Sequence, residues 1–374
     1  MKSMKLIAML LAIFMIMISV ASCATGSTTT AATTKAGTTA GAATTAAATT
    51  AATTKAAAKP LIGATIFDYS NNFLSYVRAG IEFNAKDKVE LIMTDSQNNQ
   101  TKQNEIIDNL ITKGVKVLAV NLVDSQSAST IIAKAKAANL PVIFFNKNPS
   151  NADLASYDKV WYVGVDASNQ GKLQGDTVVE QWKKDQAKFD KNGDGILQYV
   201  LIQGEPGHSD TPLRTDAFEK VIKESGIKVQ QLEKQPANWN TAKAKELMET
   251  WIGKYGDKIE MVISNNDAMA LGAVEAMRAS GLITATKITP VVGVNALPQV
   301  SDLINQGIMF GSILTNPTAQ GQAVIDLCIN AAAGKFTNIT EGTPWKLGAN
   351  KDVRIPDVII TKANVQVAID AYKK

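Results

Sequence analysis

The chain has two cysteines and one histidine in 374 residues. That leaves room for at most one disulfide and excludes a histidine-rich metal centre. It contains no Gly-x-Ser-x-Gly elbow, no Walker phosphate loop and no Gly-x-Gly-x-x-Gly turn, so the common nucleophile and nucleotide signatures are missing. The apolar run at its start, Leu6 to Val20, is shorter than the ~20 residues a membrane-crossing helix needs. Residues 24–59 hold no aromatic and no large aliphatic residue. Such a stretch cannot bury enough surface to offset the entropy of ordering, and it is expected to be a disordered tether. An excess of positive charge is missing too, once the chain is divided. Lys2, Lys5, Lys35, Lys55 and Lys59 all precede residue 60, which leaves 33 of the 38 basic residues against 34 acidic ones, a formal charge of −1 for the remainder. A nucleic acid is therefore not an expected partner.

What is present begins with an export signal. Lys2 and Lys5 precede the apolar run, the order of a secretory signal peptide. The run ends in Val20-Ala21-Ser22-Cys23. This resembles a bacterial lipobox, in which small residues precede a cysteine that takes a diacylglyceryl group. The expectation is a signal peptide over 1–23, lipid attachment at Cys23 and a tether over 24–59. It places the protein outside the cytoplasm, held to the cell membrane at the cell surface or in the periplasm. Two or three acyl chains hold firmly where one holds only marginally. Cys328 remains, inside the apolar helical stretch Ala323 to Ala332, and reads as a buried inert thiol.

From Leu61 onward, short runs rich in Val and Ile alternate with amphipathic segments. Strands are predicted at 61–66, 89–93, 117–120, 142–145, 161–165, 199–203, 229–232, 261–264 and 291–294. Helices are predicted at 73–85, 100–112, 128–138, 171–183, 211–224, 241–255, 268–280 and 298–306. Strands with little polar alternation suit sheets covered on both faces. Alternation with helices implies parallel sheets and right-handed crossovers. The fold class is α/β, and the length beyond residue 60 suits two domains. Ligands of such sheets lie beyond the carboxyl ends of the strands. Those ends carry Asp68 to Asn72, Asp95 to Asn98, Asn121, Asn146, Glu205 to His208, Asn265 to Asp267 and Asn295. An amide offers donors and an acceptor, which matches hydroxyls that need both.

One loop stands out on residue types alone. Asp190-Lys-Asn-Gly-Asp-Gly-Ile-Leu-Gln198 has oxygen donors at its first, third and fifth positions and Gly195 at the sixth. That is the pattern of an EF-hand-type calcium loop. Asp190, Asn192 and Asp194 would supply side-chain oxygens, Ile196 its carbonyl, and Gln198 stands at the ninth position. The twelfth is Leu201, where an EF-hand has glutamate.

Several segments, in one order, carry a wider likeness. They are Asp95 to Gln100, Lys113 to Asp124, Val142 to Lys147, Gly204 to His208, Ser264 to Met269 and Gly293 to Pro298. Through them the chain from Leu61 to Lys374 resembles the periplasmic sugar-binding proteins of the ribose and galactose class. The resemblance implies two doubly wound Rossmann-like domains, 60–145 with 317–353 and 146–316 with 354–374. A three-segment hinge joins them, with crossings near Asn146, Asn316 and Arg354, and they close over a monosaccharide in the cleft. It implies that Phe73 and Trp239 sandwich the sugar ring, with Asn121, His208, Asp210, Arg214 and Asn266 on the rim. It sets two family aspartates at Asn71 and Asn295 and a family asparagine at Thr315, with Asn316 next to it. Two losses of about 1 kcal/mol would weaken binding roughly 30-fold, and another epimer or a pentose could then be preferred. The resemblance also supplies Glu260 as the distant calcium ligand, which makes the ion a structural cofactor. The implied partners are a D-glucose- or D-galactose-like sugar and an ABC permease with its ATPase. A monomer without catalytic activity is expected. A sensor feeding a chemoreceptor or membrane kinase is the alternative. A repressor of this fold would need a DNA-binding motif where the tether stands, and a glycosidase would have to pair Asp210 with Asp267.

Overall fold

The computed structural model describes residues 58–373. The expected signal peptide, Cys23 and nearly all of the tether lie outside the described residues.

In chain order the first run is β1 (Leu61–Ile66), α1 (Asn72–Ala85), β2 (Glu90–Asp95), α2 (Gln100–Thr112), β3 (Val117–Val120), α3 (Ala128–Ala137), β4 (Val142–Phe145), α4 (Asn151–Ala155) and β5 (Val160–Gly164). The second is α5 (Ala167–Lys184), α6 (Gln186–Phe189), β6 (Leu197–Gln203), α7 (Asp210–Glu224), β7 (Val229–Pro236), α8 (Thr241–Tyr255), β8 (Met261–Ser264), α9 (Asp267–Ala279), β9 (Val291–Asn295), α10 (Ser301–Asn305) and β10 (Met309–Leu314). The chain then returns through α11 (Pro317–Ala332) and β11 (Asp352–Arg354), and ends in β12 (Val358–Ile360) and α12 (Val365–Ala371).

These strands make two six-stranded sheets, ordered β11-β5-β4-β3-β1-β2 and β12-β10-β9-β8-β6-β7. Every pairing is parallel except β12 against β10. Strands β3, β4 and β8 are buried at all four positions, as expected where helices cover both faces. Helices α1 and α11 cross almost backbone to backbone. A Cβ on Gly321 would lie 2.5 Å from the Gly80 carbonyl carbon, so a glycine is needed there.

The first crossing corrects the expectation at Asn146. Val160–Gly164 is apolar and wholly buried, and it pairs with β4 on one side and β11 on the other. It completes the first sheet, so the chain leaves the first lobe only after Gly164. The polar segment that follows β4 is a loop with a short helix within that lobe. The other crossings run from β10 to α11 and from β11 to β12.

Strands β10, β11 and β12 were not predicted. Gly311 and Ser312 break the Val/Ile pattern of β10, and β11 and β12 are three residues each. The helix predicted at 298–306 is a 3₁₀ turn at Pro298–Val300 followed by the short α10.

Candidate functional site

The carboxyl ends of the two sheets enclose a cavity of about 450 Å³, its open mouth included. Phe67, Asn71 and Phe73 reach it from the end of β1, Asn146 from β4 and Val165 from β5. From the second lobe come His208, Asp210, Arg214, Trp239, Asn266, Asn295 and Thr315. Gln320 of α11 completes the wall.

Asn121 is the one residue expected at the rim that the cavity does not include. It is fully buried. Its Oδ1 accepts the Phe67 N–H at 3.0 Å, and its Nδ2 donates to the Phe145 carbonyl and to Asn146 Oδ1, both at 3.2 Å. It ties three strand ends together beneath the site. Asn146, one strand further along the sheet, takes the place in the wall. Its backbone is left-handed, with φ 61°, a conformation asparagine tolerates. The signal was in the sequence: an amide directly after the buried run Val142–Phe145.

Helix capping fixes which end of several amides faces the cavity. Asn71 Oδ1 accepts the Leu74 N–H and Asn266 Oδ1 accepts the Met269 N–H, both at 3.0 Å. These are N-caps of α1 and α9. Each side chain therefore has its Nδ2 left to offer, a donor where an aspartate would accept. Asn295 lies at φ 109° and Ala296 at φ 51°. Asp267, fully buried, holds this unusual turn by accepting the Leu297 N–H at 2.8 Å and the Ser312 hydroxyl. Burial pushes the Asp267 carboxyl up to about 7. The Thr315 hydroxyl accepts from Gln170 Nε2 at 2.9 Å and from Asn295 Nδ2 at 3.5 Å, so its own proton is free to donate.

Trp239 also adopts a left-handed backbone, φ 62°, a strained state for an aromatic residue and one that clusters at binding sites. Its ring lies flat on Gly204, where a Cβ would come within 2.0 Å of Cζ2. The His208 ring meets it edge-on at 5.0 Å, and the Arg214 guanidinium sits 5.6 Å from its centroid.

Arg214 is buried, and three of its five N–H groups are engaged. Nε donates to Gln170 Oε1 at 2.8 Å, Nη1 to the Asn265 carbonyl at 2.9 Å and Nη2 to Asp210 Oδ2 at 3.2 Å. Gln170 passes the network on to Asp357 at 2.8 Å. Gln170 and Asp357 escaped the sequence reading, because neither stands in a recognisable motif. Burial, then nearby Lys147 and Arg214, hold the His208 imidazole well below its usual value. Its Nδ1 accepts the Asp210 N–H at 3.1 Å. The ring is thus neutral with its proton on Nε2, a donor.

Contacts cross the cleft beside the cavity. Lys147 is buried, donates to the Val123 carbonyl of its own lobe and pairs with Glu205 of the other at 3.3 Å. The Asn148 N–H donates to Ser209 Oγ at 3.2 Å. Tyr76 of α1 packs edge-on against Tyr372 at 4.8 Å.

The loop 190–198 is held by its own oxygens. Asp190 accepts the Asp194 and Gly195 N–H groups at 3.1 and 2.8 Å. Glu260, fully buried, accepts the Lys191 and Gln198 N–H groups at 2.7 and 2.9 Å. It thereby reaches the loop from the start of β8. Burial raises its carboxyl above the usual value. Gln198 Nε2 donates to Asp194 at 2.8 Å, while its buried Oε1 has no partner among the described residues. No three His, Cys, Asp or Glu side chains among the described residues could hold a metal by themselves. A cation here would need the amide and carbonyl oxygens as well.

The model of the periplasmic binding protein domain matches residues 62–336. The chain belongs to this family. It is 44% identical, over 83% of its length and 92% of the relative's, to the D-galactose/methyl-galactoside binding periplasmic protein of Haemophilus influenzae. It is 29% identical to the xylitol-binding protein of Mycolicibacterium smegmatis, over 83% and 79% of the two chains. Among solved structures, an ABC transporter solute binding protein from Bacillus halodurans with bound myo-inositol superposes with TM-score 0.70 at 25% identity. It covers 85% of this chain and 100% of that one. The two-sheet architecture described above is the family's.

Arg214→Met leaves Asp210 buried without its counter-charge. The expected loss is about 3–5 kcal/mol of folding stability, read from chemical denaturation. The double variant Asp210→Asn, Arg214→Met should recover part of it. A double variant no more stable than the single one would contradict this account of the pair.

Proposed function

We propose that the protein captures a D-galactose- or D-glucose-like hexose between Phe73 and Trp239 outside the cytoplasm and delivers it to an ABC importer. The observation that carries this reading is the composition of the cavity. Phe67, Phe73 and Trp239, with Leu74 and Val165, share a wall otherwise made of amides, a neutral imidazole, a hydroxyl and one internally paired Asp210–Arg214 couple. Aromatic faces suit the C–H face of a pyranose. The rim offers donors at Asn71, Asn266, His208 and Thr315, with Asp210 as the acceptor. The Haemophilus relative, named for D-galactose and methyl-galactoside, favours a hexose.

The ligand is bound and released unchanged. Asp267 lies fully buried beneath the Asn295 turn and does not line the cavity, which disfavours pairing it with Asp210 as glycosidase carboxylates. The domains work as a hinged pair about three crossings, and contacts such as Lys147–Glu205 accompany the closed arrangement. One copy forms the whole site, consistent with a monomer. A diacylglyceryl group on Cys23 and the tether 24–59 would hold it to the membrane.

Calcium is proposed as a structural cofactor of the loop 190–198. The orphaned Gln198 Oε1 supports it: rotating that amide would turn an oxygen toward Asp194, favourable only with a cation between them. Asp190, Asn192, Asp194, the Ile196 carbonyl, Gln198 and Glu260 would then hold the ion and stabilise the folded state alone.

Titration calorimetry with D-galactose and D-glucose is expected to give micromolar or tighter binding to at least one. Heat from a pentose and none from either hexose would overturn the hexose assignment. Excess chelator is expected to lower the melting temperature of the protein, and to have no such effect in Glu260→Gln. An unchanged melt of the parent protein would argue against a bound ion.

A further inference from the structure

The cleft does not end at the hexose cavity. A second space of about 1100 Å³, its opening included, adjoins it and is bordered in part by the same Phe67, Asn71 and Trp239. It lies on the side of the edge strands β2 and β7, opposite the edge where β11 and β12 carry the last crossing. A hinged cleft opens on that side, so a group attached to a bound hexose has a way out.

The chemistry of this chamber continues that of the cavity. Asn98 from the first lobe and Asn238 and Asn240 from the second line it. Asn240 spends Oδ1 on the cap of α8, which leaves Nδ2 for a ligand. Asn98 and Asn238 both hold left-handed backbone, φ 49° and 55°, and both are exposed. The charged groups there select no sign. Asp68 Oδ1 accepts the Ser70 N–H and hydroxyl, Glu205 pairs with Lys147, and Lys243 lines the same space with a charge opposite to that of Asp68. Amides without net charge fit hydroxyls rather than a phosphate or a carboxylate. Trp239 borders both spaces and offers a second ring an apolar surface.

We infer that this chamber is a subsite for a second, neutral sugar ring, so that the ligand class includes disaccharides with a terminal hexose as well as the free hexose. The inference rests on the hexose reading above and extends it.

Calorimetry with D-galactose, methyl β-D-galactopyranoside, lactose and melibiose separates the two. At least one disaccharide is expected to bind. Asn98→Gly with Asn238→Gly keeps the left-handed backbone and removes two amides. That double variant should weaken the disaccharide about tenfold or more and leave D-galactose within about twofold. If D-galactose binds and neither disaccharide does, the subsite is refuted and the hexose reading stands. An unchanged disaccharide affinity in the double variant also refutes the subsite. If no hexose binds, the function proposed above fails and the subsite with it.

Discussion

The buried guanidinium of Arg214 is the interaction on which the site depends. A charge with so little water around it is tolerated only when it is paired and hydrogen-bonded. The three bonds it makes reach three different elements: α5 through Gln170, α7 through Asp210 and the end of β8 through the Asn265 carbonyl. Those contacts fix the second lobe's half of the cavity before any ligand arrives. Its Cζ also lies 5.6 Å from the Trp239 ring centroid, and that ring packs against Gly204. Preorganisation of this kind lowers the ordering cost of binding.

A second constraint is the sharing of amides between helix ends and cavity. A parallel sheet delivers each chain segment to the cleft just before a helix begins. The first turn of that helix needs acceptors for its free N–H groups. Asn71 and Asn266 meet that need with Oδ1 and present Nδ2 to the cavity. Asn99, Asp166, Asn240 and Asn316 cap α2, α5, α8 and α11 in the same way. The abundance of Asn at strand ends thus has two sources, and only some of those residues reach the ligand space.

That double origin explains what was legible in the sequence. The Val/Ile runs located β1, β3, β4 and β8 to the residue, because strands buried on both faces leave a continuous apolar signal. The three-residue β11 and β12 leave none. Trp239 could be singled out early, since an aromatic flanked by asparagines in a loop has little reason to be there for packing alone. Asn121 and Asn146 could not be told apart by type or by position, as each follows a buried strand. Only the turn of the backbone decides that one points under the sheet end and the other into the cleft. The first crossing failed for a similar reason, because a polar loop within a lobe and a polar segment between lobes read alike. The partner network of Gln170 and Asp357 depends on residues 187 apart in the chain and had no local signature.

The most direct test of the account is a crystal structure of the protein with D-galactose. The account predicts one pyranose ring stacked between Phe73 and Trp239. Its hydroxyls should accept from Asn71 and Asn266 Nδ2 and from His208 Nε2, and donate to Asp210. A sugar bound elsewhere, or in the cleft but away from that aromatic pair, would contradict it.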